Sequence, residues 1–236
     1  MKKLSILIPV YNEDETIYQV LEIINKLKLI DNIQKEIIVI DDYSTDISFE
    51  EIERFVLDYG AEITVIKHTV NKGKGAAIQT GIIKATGDYT IIQDADLELD
   101  PSEINALIQQ VQSKKADVVY GSRFLNESKK GGTILSNSAN AFLTWLSNFI
   151  FRINITDMET CYKLVPTIEF KKLKLKEQRF GFEPEITAKL AKNKKLRWTE
   201  VPISYNARTD EEGKKIGWKD GIRAIWCILY YGLKKS

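Results

Sequence analysis

The first half of the chain alternates between two hydrophobic periods. Short runs rich in β-branched residues predict buried strands at Leu4–Pro9 (LSILIP), Glu36–Ile40 (EIIVI), Ile63–Lys67, Tyr89–Gln93 and Asp117–Gly121 (DVVYG). Between them apolar residues fall at helical spacing. Ile17, Val20, Leu21, Ile24 and Leu27 mark a helix within Asp14–Lys28. Phe49–Tyr59 and Gly75–Ala85 follow the same rule, and Pro101 opens a helix whose apolar face is Ile104, Leu107, Ile108 and Val111. Strand and helix in strict alternation predict an α/β fold with a mostly parallel, Rossmann-like sheet flanked by helices on both faces. Ligands of such sheets bind beyond the carboxyl ends of the strands.

The second half is less regular. Asn126–Thr133 (NESKKGGT) reads as a loop. Ala139–Ile155 has the pattern of a helix loaded with Phe142, Leu143, Trp145, Leu146, Phe149, Ile150 and Phe151. Glu183–Lys192 reads as helix, with Pro184 tolerated in its first turn, and Leu196–Val201 as strand. Trp218–Lys234 carries Trp226, Leu229, Tyr230 and Leu233 on one helical face. Each aromatic helix suits either a core or an interfacial surface. The apolar stretch Ala224–Leu233 is too short to span a bilayer.

Composition narrows the class. With 236 residues and 44% hydrophobic side chains the chain can bury a full core. A net charge of +1 argues against a dedicated nucleic-acid binder. That balance conceals an asymmetry: residues 1–100 carry 10 basic and 19 acidic side chains, and residues 171–236 carry 17 and 8. The basic end suits an anionic partner, a membrane surface or a solvated face. Cys161 and Cys227 cannot build a disulfide framework, so a reducing compartment fits. Asn12 and Glu13 interrupt the first apolar run, so no secretory leader is expected there.

Chemistry-bearing residues gather at strand ends. Pro9-Val10-Tyr11-Asn12-Glu13 offers an aromatic ring and polar groups to a base, or a turn and helix cap. Asp41 and Asp42 are adjacent carboxylates, costly unless solvated or bound. Asn71-Lys72-Gly73-Lys74-Gly75 before a helix resembles a phosphate cradle, but matches neither the Walker A nor the dinucleotide spacing. Asp94-Ala95-Asp96-Leu97-Glu98 supplies hard oxygen ligands suited to Mg²⁺ or Mn²⁺. Arg123 closes the fifth strand as a candidate phosphate clamp. His68, the only histidine, is expected to be packed or at the surface rather than a base.

Taken together, PVYNE, DDYSTD, NKGKG, DAD and GSR resemble the inverting family 2 glycosyltransferases of GT-A fold. Within them the chain is similar to the branch of dolichyl-phosphate mannose synthase and the bacterial polyprenyl-phosphate hexose synthases. Asp157–Lys163 (DMETCYK), Gly181-Phe182-Glu183 and Glu200–Tyr205 extend the resemblance over most of the chain. It implies one GT-A domain over 1–236, with 1–123 binding the nucleotide sugar and 124–236 forming the acceptor and lid half. Pro9, Tyr11, Asn12, Glu13, Ile40, Asp42, Lys74, Asp94 and Ala95 would hold the nucleotide sugar, a UDP- or GDP-hexose. Arg208 and Lys214, on the glycine-bounded stretch Asn206–Gly217, would close over its diphosphate as a lid. Asp94, Asp96 and Glu98 would bind Mg²⁺ or Mn²⁺. The branch commonly has Gln at the Glu98 place and Gly at the Tyr43 place, so this sequence departs at both. Asp96, Arg123 and Asp157 are the candidate catalytic residues, and Asp157 and Glu159 the candidate bases for a hydroxyl acceptor.

The expected reaction is inverting transfer of a hexose to a polyprenyl phosphate, by a protein peripheral on the cytoplasmic face of the membrane or recruited by a membrane partner. A saccharide acceptor and a non-catalytic nucleotide-sugar-binding subunit are the alternatives. A nucleotidyltransferase is disfavoured, because PVYNEDE stands where its glycine-rich phosphate loop would follow the first strand.

Overall fold

The computed structural model describes residues 1–125, 134–207 and 218–234. Seven strands form one sheet: β1 (Lys3–Val10), β2 (Gln34–Asp41), β3 (Thr64–Lys67), β4 (Tyr89–Ile92), β5 (Val118–Ser122), β6 (Lys163–Pro166) and β7 (Trp198–Pro202). Their order is β3-β2-β1-β4-β6-β5-β7. All pairings are parallel except those of β6, which runs antiparallel to both β4 and β5. Among the described residues eight α-helices accompany the sheet: α1 (Ile17–Lys26), α2 (Ser48–Tyr59), α3 (Lys74–Lys84), α4 (Ile104–Gln112), α5 (Ile134–Phe151), α6 (Thr167–Lys172), α7 (Phe182–Ala191) and α8 (Trp218–Leu233).

The β-branched runs lie where both sheet faces are covered. Leu4, Ile6, Leu7 and Ile8 of β1 are fully buried, as a central parallel strand requires. The apolar stripe of α1 (Ile17, Val20, Leu21, Ile24) covers one face. Ile78 and Ile82 of α3 join the same core.

The pattern did not reveal β6. Its four residues, KLVP, are too short for a period and begin with a lysine. Helix α5 also ends earlier than its apolar pattern suggests. Arg152 takes the left-handed conformation (φ 56), and the Asn148 side chain bonds the backbone N–H and C=O of Ile155 (3.0 and 2.7 Å). The inner face of α5 carries polar groups beside the buried Leu143 and Phe151: Asn140 reaches Asp157 (3.0 Å) and the Thr144 hydroxyl accepts from the Met158 N–H (3.1 Å). Its outer face bears exposed Phe142, Trp145 and Phe149, stacked at 6.0 and 6.2 Å between centroids. Helix α8 packs on α5 and α7 and exposes Ile222, Trp226, Leu229, Tyr230 and Leu233. Among the described residues no helix is long and apolar enough to cross a membrane.

Candidate active site

Parallel strands finish together, so β1, β2, β4, β5 and β7 deliver their loops to one edge of the sheet. The antiparallel β6 begins at that edge, which brings Asp157–Tyr162 into the same cluster.

At the β1–β2 end the register sets Pro9 beside Ile40 and Val10 beside Asp41. Pro9 is buried, and Tyr11, Asn12 and Glu13 are half-buried at the edge. Asn12, in the left-handed region (φ 53), takes the Thr45 N–H on its Oδ1 (2.8 Å), and its own N–H donates to the Ser44 hydroxyl (3.1 Å). Glu13 N–H donates to the Ser48 hydroxyl (2.7 Å). The first loop is thereby tied to the second. The Ile40 side chain packs into the core against Gly81, leaving only its backbone for a ligand.

Asp42 is buried and its carboxylate faces inward. It lies 2.6 Å from His68 Nδ1 and accepts the backbone N–H groups of Lys72 (3.0 Å) and Gly73 (2.6 Å). His68 Nε2 lies 2.9 Å from the Thr80 hydroxyl, so both ring nitrogens are used in packing. The glycine–lysine loop is not a phosphate cradle. Asp42 occupies the amides of Lys72 and Gly73, and the loop's glycines admit a neighbouring backbone: a Cβ at Gly75 would sit 2.3 Å from the Glu177 carbonyl oxygen, and one at Gly73 2.5 Å from that of Gln178. Asp41 accepts from the Ser44 N–H (3.2 Å), and its buried Oδ2 has no hydrogen-bond partner among the described residues. Tyr43, where a glycine would be at ease, takes φ 65 and is exposed.

At the β4 end Asp94 is paired with the ammonium of Lys74, the first residue of α3. Burial alone would lower the Lys74 pKa, but Asp94, with Cys161 and Glu183, holds it above its usual value. The buried Ala95 carbonyl accepts from the Thr16 hydroxyl (2.7 Å). Asp96 accepts from the Glu98 N–H (3.1 Å) across Leu97, itself left-handed (φ 59). Burial, Asp94 and Glu98 together push the Asp96 carboxyl up to about 7. Crowded oxygen donors that resist a further negative charge fit a hard divalent cation. Among the described residues no group of three or more His, Cys, Asp or Glu side chains is drawn close enough to enclose one.

At the β5 end Arg123 grips Asp157 side-on, Nε to Oδ2 at 2.7 Å and Nη2 to Oδ1 at 2.8 Å, and its backbone N–H joins them (3.1 Å). The guanidinium lies over the Tyr205 ring at 5.0 Å, leaving its Nη1 edge outside the Asp157 grip. Asp157 is fully buried. Burial would raise its carboxyl, but Arg123 and Asn140 hold it below the usual range. It is an ionised, fully engaged positioning group, a poor arrangement for the base that the sequence suggested.

Glu159 stands two residues on. Burial and Glu183 push its carboxyl up to about 8, and its buried Oε1 has no hydrogen-bond partner among the described residues. Beyond it Lys163, fully buried on β6, donates to Glu183 and to the Thr160 carbonyl. The sequence reading gave Lys163 and Glu183 no role. The available signal was a lysine inside the apolar run CYKLV, since a charge there demands a buried partner. Arg208, Lys214 and nearly all of the expected lid lie outside the described residues, as does Asn126–Thr133.

Comparison with known proteins fits this geometry. A family model described as Glycosyl transferase family 2 matches residues 5–168. The chain is 25% identical over 228 residues to a dodecaprenyl-phosphate galacturonate synthase of Rhizobium johnstonii, covering 96% of this chain and 65% of that protein. It is 33% identical over 132 residues to a dolichol-phosphate mannosyltransferase of Pyrococcus furiosus, covering 56% of this chain and 35% of that one. The chain therefore spans about two-thirds or less of these two relatives. Among solved structures, glucosyl-3-phosphoglycerate synthase from Mycobacterium tuberculosis in complex with Mn²⁺, UDP and phosphoglyceric acid superposes with a TM-score of 0.72 at 18% identity, over 100% of this chain and 80% of that one. Sheet order, strand-end carboxylates and family match converge: the chain belongs to glycosyl transferase family 2 and has its GT-A fold.

Proposed function

We propose that the protein transfers a hexose from a nucleotide sugar, with inversion, to the phosphate of a polyprenyl phosphate. One observation carries the choice of acceptor. A hydroxyl acceptor needs a base, yet on the wall formed by residues 157–163 the ionised carboxylate, Asp157, is spent on Arg123 and Asn140. A phosphate is already an anion and needs none. The relatives named for polyprenyl-phosphate products support the same reading.

In this proposal residues 1–123 hold the donor. Tyr11, Glu13 and the Ile40 backbone face the nucleoside, and Asp42 acts through the loop it fixes. Asp94 and Asp96, with Glu98 beside them, would hold Mg²⁺ or Mn²⁺, which when bound supplies charge stabilisation for the leaving diphosphate. Lys74 keeps Asp94 oriented, and the Nη1 edge of Arg123 clamps the phosphates. Residues 124–236 receive the acceptor. Two free, buried cysteines suit a reducing compartment, so the cytoplasmic face of a membrane is the proposed place of action.

The test is a product assay with purified protein, Mg²⁺ or Mn²⁺, a panel of UDP- and GDP-sugars, and a polyprenyl phosphate in detergent. Mass spectrometry should find a lipid-phosphate sugar. Metal-dependent donor hydrolysis without that product would move the acceptor to a saccharide, and nucleotide-sugar binding without turnover would favour a partner subunit. Asp96→Ala should abolish turnover with circular dichroism unchanged; activity surviving with metal present would sink its role.

A further inference from the structure

We infer that the Glu159 carboxyl, in its acid form, donates a hydrogen bond to the acceptor's phosphate, and so anchors the nucleophile rather than deprotonating it. The inference rests on the phosphate-acceptor reading above.

The other charged side chains around Glu159 are paired with one another or with backbone N–H groups. Arg123, after β5, is committed to Asp157. Lys163, on β6, is committed to Glu183, at the start of α7. Glu200, on β7, accepts from the Thr156 and Asp157 backbone N–H groups (2.7 and 3.2 Å) and from the Thr156 hydroxyl (3.1 Å). The charged groups that act on Glu159 are Glu183, Lys163, Arg123 and Asp157. They form two pairs, so among the described residues neither of these two cations is left to balance an ionised Glu159. Its buried Oε1 has no hydrogen bond among the described residues. An unpaired carboxylate there is costly, whereas the acid form keeps one O–H to donate. An arriving phosphate dianion sharpens the preference: it repels a carboxylate and accepts from an acid. The proton stays on Glu159 throughout, and no bond is made or broken there.

The sign of the pH dependence follows. With the carboxyl pushed up to about 8, the donating form prevails at neutral pH and is lost as pH rises through that value. The experiment measures kcat and KM for polyprenyl phosphate from pH 6.5 to 9.5 in wild type, Glu159→Gln and Glu159→Ala. Wild-type kcat/KM for the acceptor should fall about tenfold per unit above pH ~8, with the donor KM not following it. Glu159→Ala should raise the acceptor KM on the order of tenfold at neutral pH. Glu159→Gln keeps an N–H donor and cannot ionise, so it should recover most of that loss and flatten the alkaline fall. Thermal melts confirm that both variants fold.

An alkaline fall that persists in Glu159→Gln overturns the inference. So does a Gln variant as inactive as Ala at saturating acceptor, which would mark Glu159 as a base. A parallel series uses a short alkyl phosphate, whose phosphate is its one nucleophile, as acceptor. The same Glu159 dependence with that compound alone would keep the anchor and discard the lipid. Transfer to neither phosphate would discard the acceptor reading, and the anchor with it.

Discussion

Arg123 and Asp157 depend on each other more than on any ligand. The carboxylate is fully buried and takes a side-on grip from a guanidinium that also stacks on Tyr205. Arg123→Ala would leave that charge unpaired, at a cost on the order of 3–5 kcal/mol. Adding Asp157→Asn should return part of the stability but none of the turnover, since the phosphate clamp stays absent. Thermal melts and donor-binding measurements on the two variants check this. Equal recovery of stability and activity would reduce Arg123 to a structural residue. At this scale the sequence was legible where chemistry is local: Asp94 and Asp96 sit together because two carboxylates two residues apart at a strand end share one edge. It was illegible where partners are distant. Nothing in DDYSTD shows that Asp42 turns to His68, 26 residues on, or that Gly73 and Gly75 exist to admit the backbone of Glu177 and Gln178.

Helix α5 serves two masters. Asn140, Thr144 and Asn148 brace the loop that holds Asp157, and Phe142, Trp145 and Phe149 form an exposed stacked row on the opposite side. Helix α8 adds Trp226 and Tyr230, stacked at 4.5 Å. Exposed rings suit the membrane contact proposed above, where an apolar body and a polar tip are both accommodated. Trp145→Glu with Phe149→Glu should weaken sedimentation with anionic vesicles about tenfold or more, leaving the melting temperature within a few degrees. Unchanged vesicle binding would send the acceptor to the site by another route. The pattern of large apolar groups predicted both helices, but not which faces stay bare, because that depends on which neighbours cover them. Strand β6 escaped for the opposite reason: its identity lies entirely in its pairing with Thr90 and Val119, and four residues carry no period of their own.

Across the whole molecule the sheet is held together at its far edge by Glu36. Its carboxylate takes the Lys3 ammonium (2.7 Å), the Ser5 hydroxyl (2.5 Å) and the Thr86 N–H (2.7 Å), tying β1, β2 and the turn before β4. Burial works against it, yet these donors hold its carboxyl down to about 2. A depressed carboxylate stabilises the fold above its unfolded value near 4.5 and loses that contribution as pH falls through its folded value. The melting temperature should therefore drop between about pH 4.5 and 2, and Glu36→Gln should remove that part of the slope. The alternation of elements made the parallel half of the sheet legible. The sheet order could not be read, because β6 is inserted between strands made long before it. That insertion has a consequence for synthesis. Strands β3, β2, β1 and β4 can pair once Ile92 has left the ribosome, but the partner for the open side of β4 ends at Pro166. At about 5–20 residues per second, that backbone edge waits roughly 4–15 s for its own chain. During that interval it can be captured by another nascent copy, so slower translation between these strands should lower the yield of soluble protein.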